Sequence, residues 1–305
     1  MSPDQAGLTW FLAGTAFCLE DDRNADPKPN SQFEQFRDVF LARDFDHPLL
    51  ESNYLTDIRF CTFQVAREGS LGQKRTTIQT ADYAGGSLDL LIRDPDAAWD
   101  ALKDVWDRHQ LQSVDEIEAT PLSRDKVLSL LSVLVHEADL LGFVLPMDEF
   151  ALAQGMTDAD LPEYLSRAEL ETRQGARLIS QIDPQGTGYL QIYADLYEAN
   201  NSFFLGTMSD VFLETFGDAD SGASDPTDSW DSFREYVWRQ VRRTEWFEPG
   251  RYDGTLDHRD LFPVYFEPDR ADPRTERGMF KPKLDWDDDH YSLRGLQPVL
   301  ERMVE

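Results

Sequence analysis

Along the chain, apolar residues recur at helical spacing in some stretches and at alternate positions in others. In SQFEQFRDVFLARDF (31–45), Phe33, Phe36, Val39 and Phe40 share one helical face, and Ser31 is placed to cap it. DIRFCTFQVA (57–66) alternates Ile58, Phe60, Thr62 and Gln64 with Arg59, Cys61, Phe63 and Val65, which predicts a strand buried on at least one side. KRTTIQT and SLDLLIRD read as further strands with YAGG as a turn between them. PDAAWDALKDVWDRHQL starts at Pro95 and carries Trp99, Leu102, Val105 and Trp106 on one stripe, a helix. Residues 1–118 are therefore expected to form a small α+β unit.

Residues 119–217 form the second expected domain. PLSRDKVLSLLSVLVHEADLLGF (121–143) reads as a long amphipathic helix capped by Ser123, with Val127, Leu130, Leu131 and Leu134 inward. MDEFALAQ reads as a short helix, and Gly155 supplies the positive φ of a tight turn. TDADLPEYLSRAELETR then reads as a second helix capped by Thr157, with Leu161, Tyr164 and Leu165 facing the first. In ARLISQIDPQGTGYLQIYADL, Leu190, Ile192, Ala194 and Leu196 alternate with Tyr189, Gln191, Tyr193 and Asp195 after a DPQGTG turn, a hairpin pattern. SFFLGTMSDVFLETFG (202–217) reads as an apolar helix, and the acidic, Gly/Ser/Pro-containing tract 218–229 as a linker or loop. In the last region, 230–305, WDSFREYVWRQVRRTEWF puts Trp230, Phe233, Val237 and Val241 in helical phase, and LRGLQPVLERMV closes a loop-rich stretch as a helix.

The order helix, helix, turn, helix, two-stranded wing over 121–198 resembles the winged helix-turn-helix superfamily, in its MarR-like arrangement. Phe150, Ala151, Gly155, Met156, Thr157 and Leu161 carry the turn, Arg167, Leu170 and Glu171 the following helix, and Asp183, Pro184 and Gly186 the wing tip. The resemblance implies an α+β fold, mainly helical, with a central winged helix beside the small N-terminal unit. It also implies a second helix lying in a DNA groove. Here that helix departs from the pattern. Asp158, Asp160 and Glu163 would meet phosphate with like charge, and Pro162 removes a backbone hydrogen bond, so the helix starts late or bends. Arg167, Arg173, Gln174 and Arg177 are left to hold an anionic ligand.

Charge changes the picture next. The 305 residues carry 58 acidic against 29 basic side chains, a net charge of -29, with only six Lys beside 23 Arg and with 38 Asp beside 20 Glu. Because the carboxylates are scattered, they read as adaptation to a molar-salt cytoplasm, where screening over a few Å removes self-repulsion. One segment differs. Residues 234–283 have a net charge of +1, and Arg234, Arg239, Arg242 and Arg243 fall on one predicted helix among aromatics. Such an island either docks an anionic partner or pairs internally with neighbouring carboxylates. Cys18 and Cys61 sit in apolar contexts without metal-site spacing, and read as buried free thiols. The apolar run 8–19 is too short to span a bilayer and lacks a basic flank, so the chain reads as cytoplasmic, without a membrane partner.

Catalytic patterns are sparse. His258, Asp260 and His290 could offer two imidazoles and a carboxylate to one metal, a third reading of the function. Asp285, Asp287 and Asp289 alternate as in a hard-cation loop, but His290 stands where the turn glycine belongs. Ala194 replaces the closing Glu of the EF-hand-like DPQGTG stretch, Ser87 leaves Asp89 alone in GGSLDLLI, and His136–Glu137 lack the second His of a zinc helix. No nucleophile elbow, P-loop or dinucleotide fingerprint occurs, so the reading leans away from an enzyme and implies no cofactor. The expectation is a non-enzymatic winged-helix protein in DNA-associated regulation or genome maintenance. The alternative is a docking scaffold or accessory subunit that binds protein and never touches DNA. The oligomeric state stays open.

Overall fold

The fold was analysed on a computed structural model, which describes residues 7–21, 25–27, 32–42, 58–69, 72–83, 138–163, 165–176, 201–219, 230–244, 260–266 and 293–305. Helix α1 (Leu8–Asp21) comes first, followed by β1 (Ala25–Pro27) and α2 (Gln32–Leu41). Strands β2 (Ile58–Gly69) and β3 (Gly72–Tyr83) pair antiparallel from Ile58↔Tyr83 to Gly69↔Gly72, and β1 adds to the outer edge of β2. Cys61, Phe63 and Val65 point into the core from alternate positions of β2, as the sequence alternation requires.

The middle of the chain forms a second, parallel sheet in the order β4 (Leu141–Pro146), β5 (Ser202–Thr207), β6 (Leu261–Pro263). Parallel neighbours need crossovers. Helices α3 (Met147–Ala153) and α4 (Arg167–Ala176) lie in the first connection, α5 (Leu213–Ala219) and α6 (Trp230–Arg242) in the second. Two-residue strands β7 (Tyr265–Phe266) and β8 (Leu293–Arg294) pair antiparallel, and α7 (Leu296–Val304) ends the chain.

Several expected elements are corrected. The long helix predicted over 121–143 is non-helical at 138–140 and gives way to β4 at Leu141, while 121–137 lie outside the described residues. LGFVLP is apolar in both phases, with both Phe143 and Val144 buried, as a parallel strand covered on two faces demands. The apolar helix predicted over 202–217 is instead β5, one 3-10 turn (Ser209–Phe212) and the short α5. MDEFALAQ is helical as predicted, and Gly155 has a φ of +74°. Thr157, however, starts only a single 3-10 turn, Asp158–Asp160, and the second helix begins at Arg167. Pro162 stops the earlier start, and Ser166 and Glu169 make a capping box instead: Ser166 N donates to Glu169 Oε2 at 2.8 Å, and Glu169 N to Ser166 Oγ at 3.3 Å. Among the described residues, α3 and α4 are thus separated by the turn at Gly155 and the 3-10 turn Asp158–Asp160. The hairpin expected over 176–196 lies outside them from Arg177 on, as do 84–137, with the predicted strand and helices there, and most of the expected linker.

One apolar cluster joins what reads in the sequence as separate units. Phe11, Leu12, Phe36 and Phe63 from the N-terminal elements meet Val144, Phe203, Leu205 and Phe262 from the parallel sheet and Leu296, Val299 and Leu300 from α7. On the opposite side, Phe233 of α6 packs on Phe216 and Tyr265 at ring-centroid distances of 5.4 and 5.9 Å. Cys18 and Cys61 are buried free thiols within the shared cluster. No helix among the described residues is long and apolar enough to cross a membrane.

Gly295, with a φ of +82°, lets β8 turn into α7 against the Pro263 carbonyl and the Trp230 ring. A methyl group there collides with backbone and imposes a strained φ. Gly295→Ala is expected to destabilise the protein by about 2–4 kcal/mol in denaturant unfolding. Gly217→Ala, in a helix with open space around it, is expected to be neutral or to gain about 0.5–1 kcal/mol. Equal effects from the two would contradict this packing.

Candidate nucleotide and cation site

The strands of a parallel sheet all end at one edge, and in open α/β sheets ligands gather at that carboxyl edge. Asp148 and Glu149 come directly after β4; Thr207 ends β5, Ser209 and Asp210 lie just beyond it, and all five are buried. Half of the buried polar residues of the described chain therefore sit at these two strand ends. Burial away from water costs each of them unless it is hydrogen-bonded. Ser209 Oγ donates to the Gly206 carbonyl at 2.7 Å, and Thr207 Oγ1 to the Leu145 carbonyl at 3.4 Å across the β4–β5 pair. Asp148 Oδ1 accepts from the Glu149 amide at 3.0 Å. Val264 clamps the edge from β6, its N–H bonding Gly206 O and its carbonyl accepting from Ser209 N–H. Between Thr207 and Ser209 the chain turns through Met208 at φ 56°, ψ 35°, the single non-glycine residue with positive φ among the described residues. That conformation costs of order 1–3 kcal/mol and persists where surrounding structure imposes it, typically at functional sites.

Helix α1 brings its N-terminus to the same edge. Gly7, at φ +81°, opens the helix by accepting from the Phe11 amide, and a Cβ on it would lie 3.6 Å from the Cβ of Thr207. Thr207 in turn is the register partner of Pro146, at the end of β4. Two residues into the helix, Thr9 Oγ1 donates to both oxygens of Asp82, at 2.9 and 3.1 Å. Asp82 is 1 % exposed and sits at the end of β3, so a hydroxyl on a helix start and a carboxylate on a strand end meet across 73 positions of sequence. The positive end of the α1 dipole lies at this edge, which suits an anion.

Sequence reasoning passed over these residues for a definite reason. In the phosphate-loop pattern G-x-x-x-x-G-K-[ST], Gly7 and Thr9 hold the last glycine and the hydroxyl residue, but Ser2 stands for the first glycine and Leu8 for the lysine. Half the pattern reads as none. The usable signal was a Gly-x-Thr opening an apolar helix, with an Asp ending a strand further on.

The arginines singled out from sequence divide into three groups. Arg167, at the start of α4, spends its donors locally: Nε on Glu171 Oε1 at 2.8 Å, Nη1 on the Met156 carbonyl at 3.0 Å and its amide on Asp158 Oδ1 at 2.6 Å. Gln174 is half-buried, while the Arg173 side chain and Arg177 lie outside the described residues. Arg234 is folded inward, bonded to Asp231 at 2.8 Å with its guanidinium 5.8 Å from the centre of the Phe262 ring. Arg239 and Arg242 are exposed on the last turn of α6, and Arg243 is exposed directly after it. Of the expected metal triad, Asp260 precedes β6 and both His258 and His290 lie outside the described residues. Among the described residues, no three His, Cys, Asp or Glu converge to hold a metal ion.

No family model, no curated protein and no solved structure matches the chain.

The acidic loop before α4 has its own electrostatics. Asp160 accepts from the Thr157 hydroxyl and the Thr157 amide, both at 2.7 Å, and the hydroxyl first and the amide second hold its carboxyl below the ordinary 3.8. A depressed folded pKa means that this turn contributes stability above pH 3.8 and loses it as pH falls through the lowered value. In an NMR titration Asp160 is expected to have a midpoint below 3.8, and Thr157→Ala to raise it. An unchanged midpoint in the variant would show that Thr157 does not hold the charge.

Proposed function

We propose that the protein binds a nucleoside di- or triphosphate together with a divalent cation at the carboxyl edge of its parallel sheet, beside the N-terminus of α1. The observation that carries this reading is the Thr9–Asp82 hydrogen bond at the N-terminus of a buried helix. Small hard cations such as Mg²⁺ take oxygen ligands, keep several waters and are held through one or two carboxylates plus phosphate oxygens. In phosphoryl-transfer proteins the protein's share of that shell is a Ser or Thr hydroxyl on the phosphate-facing helix and a carboxylate at a strand end. Thr9 and Asp82 are that pair of groups in that pair of places, and the donor set fits the ion.

Each remaining residue at the edge has a role by position. The positive end of the α1 dipole faces the phosphates, and Gly7 admits a close approach because nothing projects from it. Bound Mg²⁺ would supply neutralisation of phosphate charge. Thr207, Ser209 and Asp210 offer hydroxyl and carboxylate groups at the neighbouring strand end for the polar remainder of the ligand. Leu8 in place of lysine removes the side-chain cation that usually clamps the phosphates, so the reading is a binding protein rather than a fast hydrolase.

The DNA-associated and docking readings keep one supporting observation, the exposed arginines of α6.

The reading predicts that a fluorescent nucleoside triphosphate binds in a Mg²⁺-dependent way. Thr9→Val, which keeps shape and loses the hydroxyl, is expected to weaken Mg²⁺-dependent binding about tenfold or more, and Thr9→Ser to retain it. Titrations by anisotropy, with a thermal melt as folding control, measure both. Binding indifferent to Mg²⁺, or equal in the Val and Ser variants, would defeat the assignment.

A further inference from the structure

We propose that the C-terminal half of α6 is a nucleic-acid docking face, gripping the phosphate backbone through Arg239, Arg242 and Arg243. The three side chains recur at i, i+3 and i+4, so they project from one side of the helix within two turns. All three are exposed. Arg239 lies 5.9 Å from the centre of the Tyr236 ring, and Arg243 Nη1 donates to Gln240 Oε1 at 3.0 Å.

Their partners set them apart. In a chain with 58 carboxylates to 29 basic residues, Arg37, Arg167, Arg234 and Arg302 each reach an Asp or Glu within 4.0 Å. Arg239, Arg242 and Arg243 reach none among the described residues. A helix C-terminus attracts cations through its dipole, which accounts for basic residues there but not for keeping three of them clear of every described carboxylate. A protein of net charge -29 repels a polyanion on the whole, so a polyanion docks at a locally basic face.

The neighbouring surface favours nucleic acid over an acidic protein. Phe233, Val237 and Val241, the apolar side of α6, are consumed by the core, and Tyr236 and Trp238 are buried with them. What α6 leaves exposed is Asp231, Ser232, Glu235 and the three arginines. Protein interfaces have an apolar centre, whereas backbone contacts to nucleic acid are charge and hydrogen bonding alone, and guanidinium forks match phosphate oxygens in pairs. A hydrogen bond from Gln154 Nε2 to the Gln240 carbonyl, 2.9 Å, fixes this end of α6 to the end of α3 and so orients the face.

The test is fluorescence anisotropy of a labelled 20-base-pair duplex of arbitrary sequence with the full chain, titrated from low to molar KCl. Wild type is expected to bind with a linear log–log salt dependence. The triple variant Arg239→Gln, Arg242→Gln, Arg243→Gln is expected to bind at least tenfold more weakly at low salt, its slope shallower by about 2–3, near 0.9 per lost phosphate contact. Each single variant is expected to lower the slope by about 1, so the proposal stays testable if the triple variant is less stable. Absence of binding at every salt at which the protein stays folded would overturn it. So would an unchanged slope in the variants, or poly-glutamate bound as tightly as the duplex, which would assign the face to an acidic protein.

Discussion

Helix α1 has no polar side, and the burial of its middle constrains the rest of the molecule. Trp10 to Ala13 and Ala16 are all buried, and Thr15 turns its hydroxyl back onto the Phe11 carbonyl at 2.7 Å rather than outward. A helix that is apolar all round must be enclosed. The antiparallel strands, the parallel sheet, α2 and α7 supply the enclosure, which is why residues from both ends of the chain share one cluster. The approach is close: a Cβ on Gly14 would fall 2.7 Å from the Phe266 ring. Each fully buried large side chain contributes about 1.5–3 kcal/mol, so this cluster is the main source of stability that the described residues offer.

Enclosing α1 also fixes where its polar end emerges. The helix cannot rotate or slide without breaking its apolar contacts, so Gly7 is held beside Thr207 and Thr9 beside Asp82. Fold and candidate site thus share a cause. The same anchoring bears on the left-handed turn at Met208, held by the Gly206, Ser209 and Val264 bonds between two buried strand ends. Preorganised polar groups on a rigid edge suit recognition of a small charged ligand.

What the sequence discloses depends on how one-sided each element is. Strand β2 and helix α6 expose one face and bury the other, so alternation and helical phase reveal both. Strands β4 and β5 are buried on two faces and have no period, so LGF (141–143) and SFFLGT fall within predicted helices and VLP (144–146) within no predicted element. The late start of α4 is legible in Pro162, and a second time in the S-x-x-E of Ser166–Glu169. The site was hidden for another reason. Its hydroxyl and carboxylate are 73 residues apart, and only the fold joins them. The arginine helix was visible as charge; its division into an Arg234 paired with Asp231 and three arginines clear of every described carboxylate required the packing.

Hydrogen exchange of the full chain, with and without Mg²⁺ and a nucleoside triphosphate, tests most directly that the buried helix presents a ligand edge. If it does, peptides covering 7–14, 79–83 and 204–210 gain protection together when both Mg²⁺ and nucleotide are present, and not with either alone. Protection confined to other segments, or none at saturating ligand, would contradict the account.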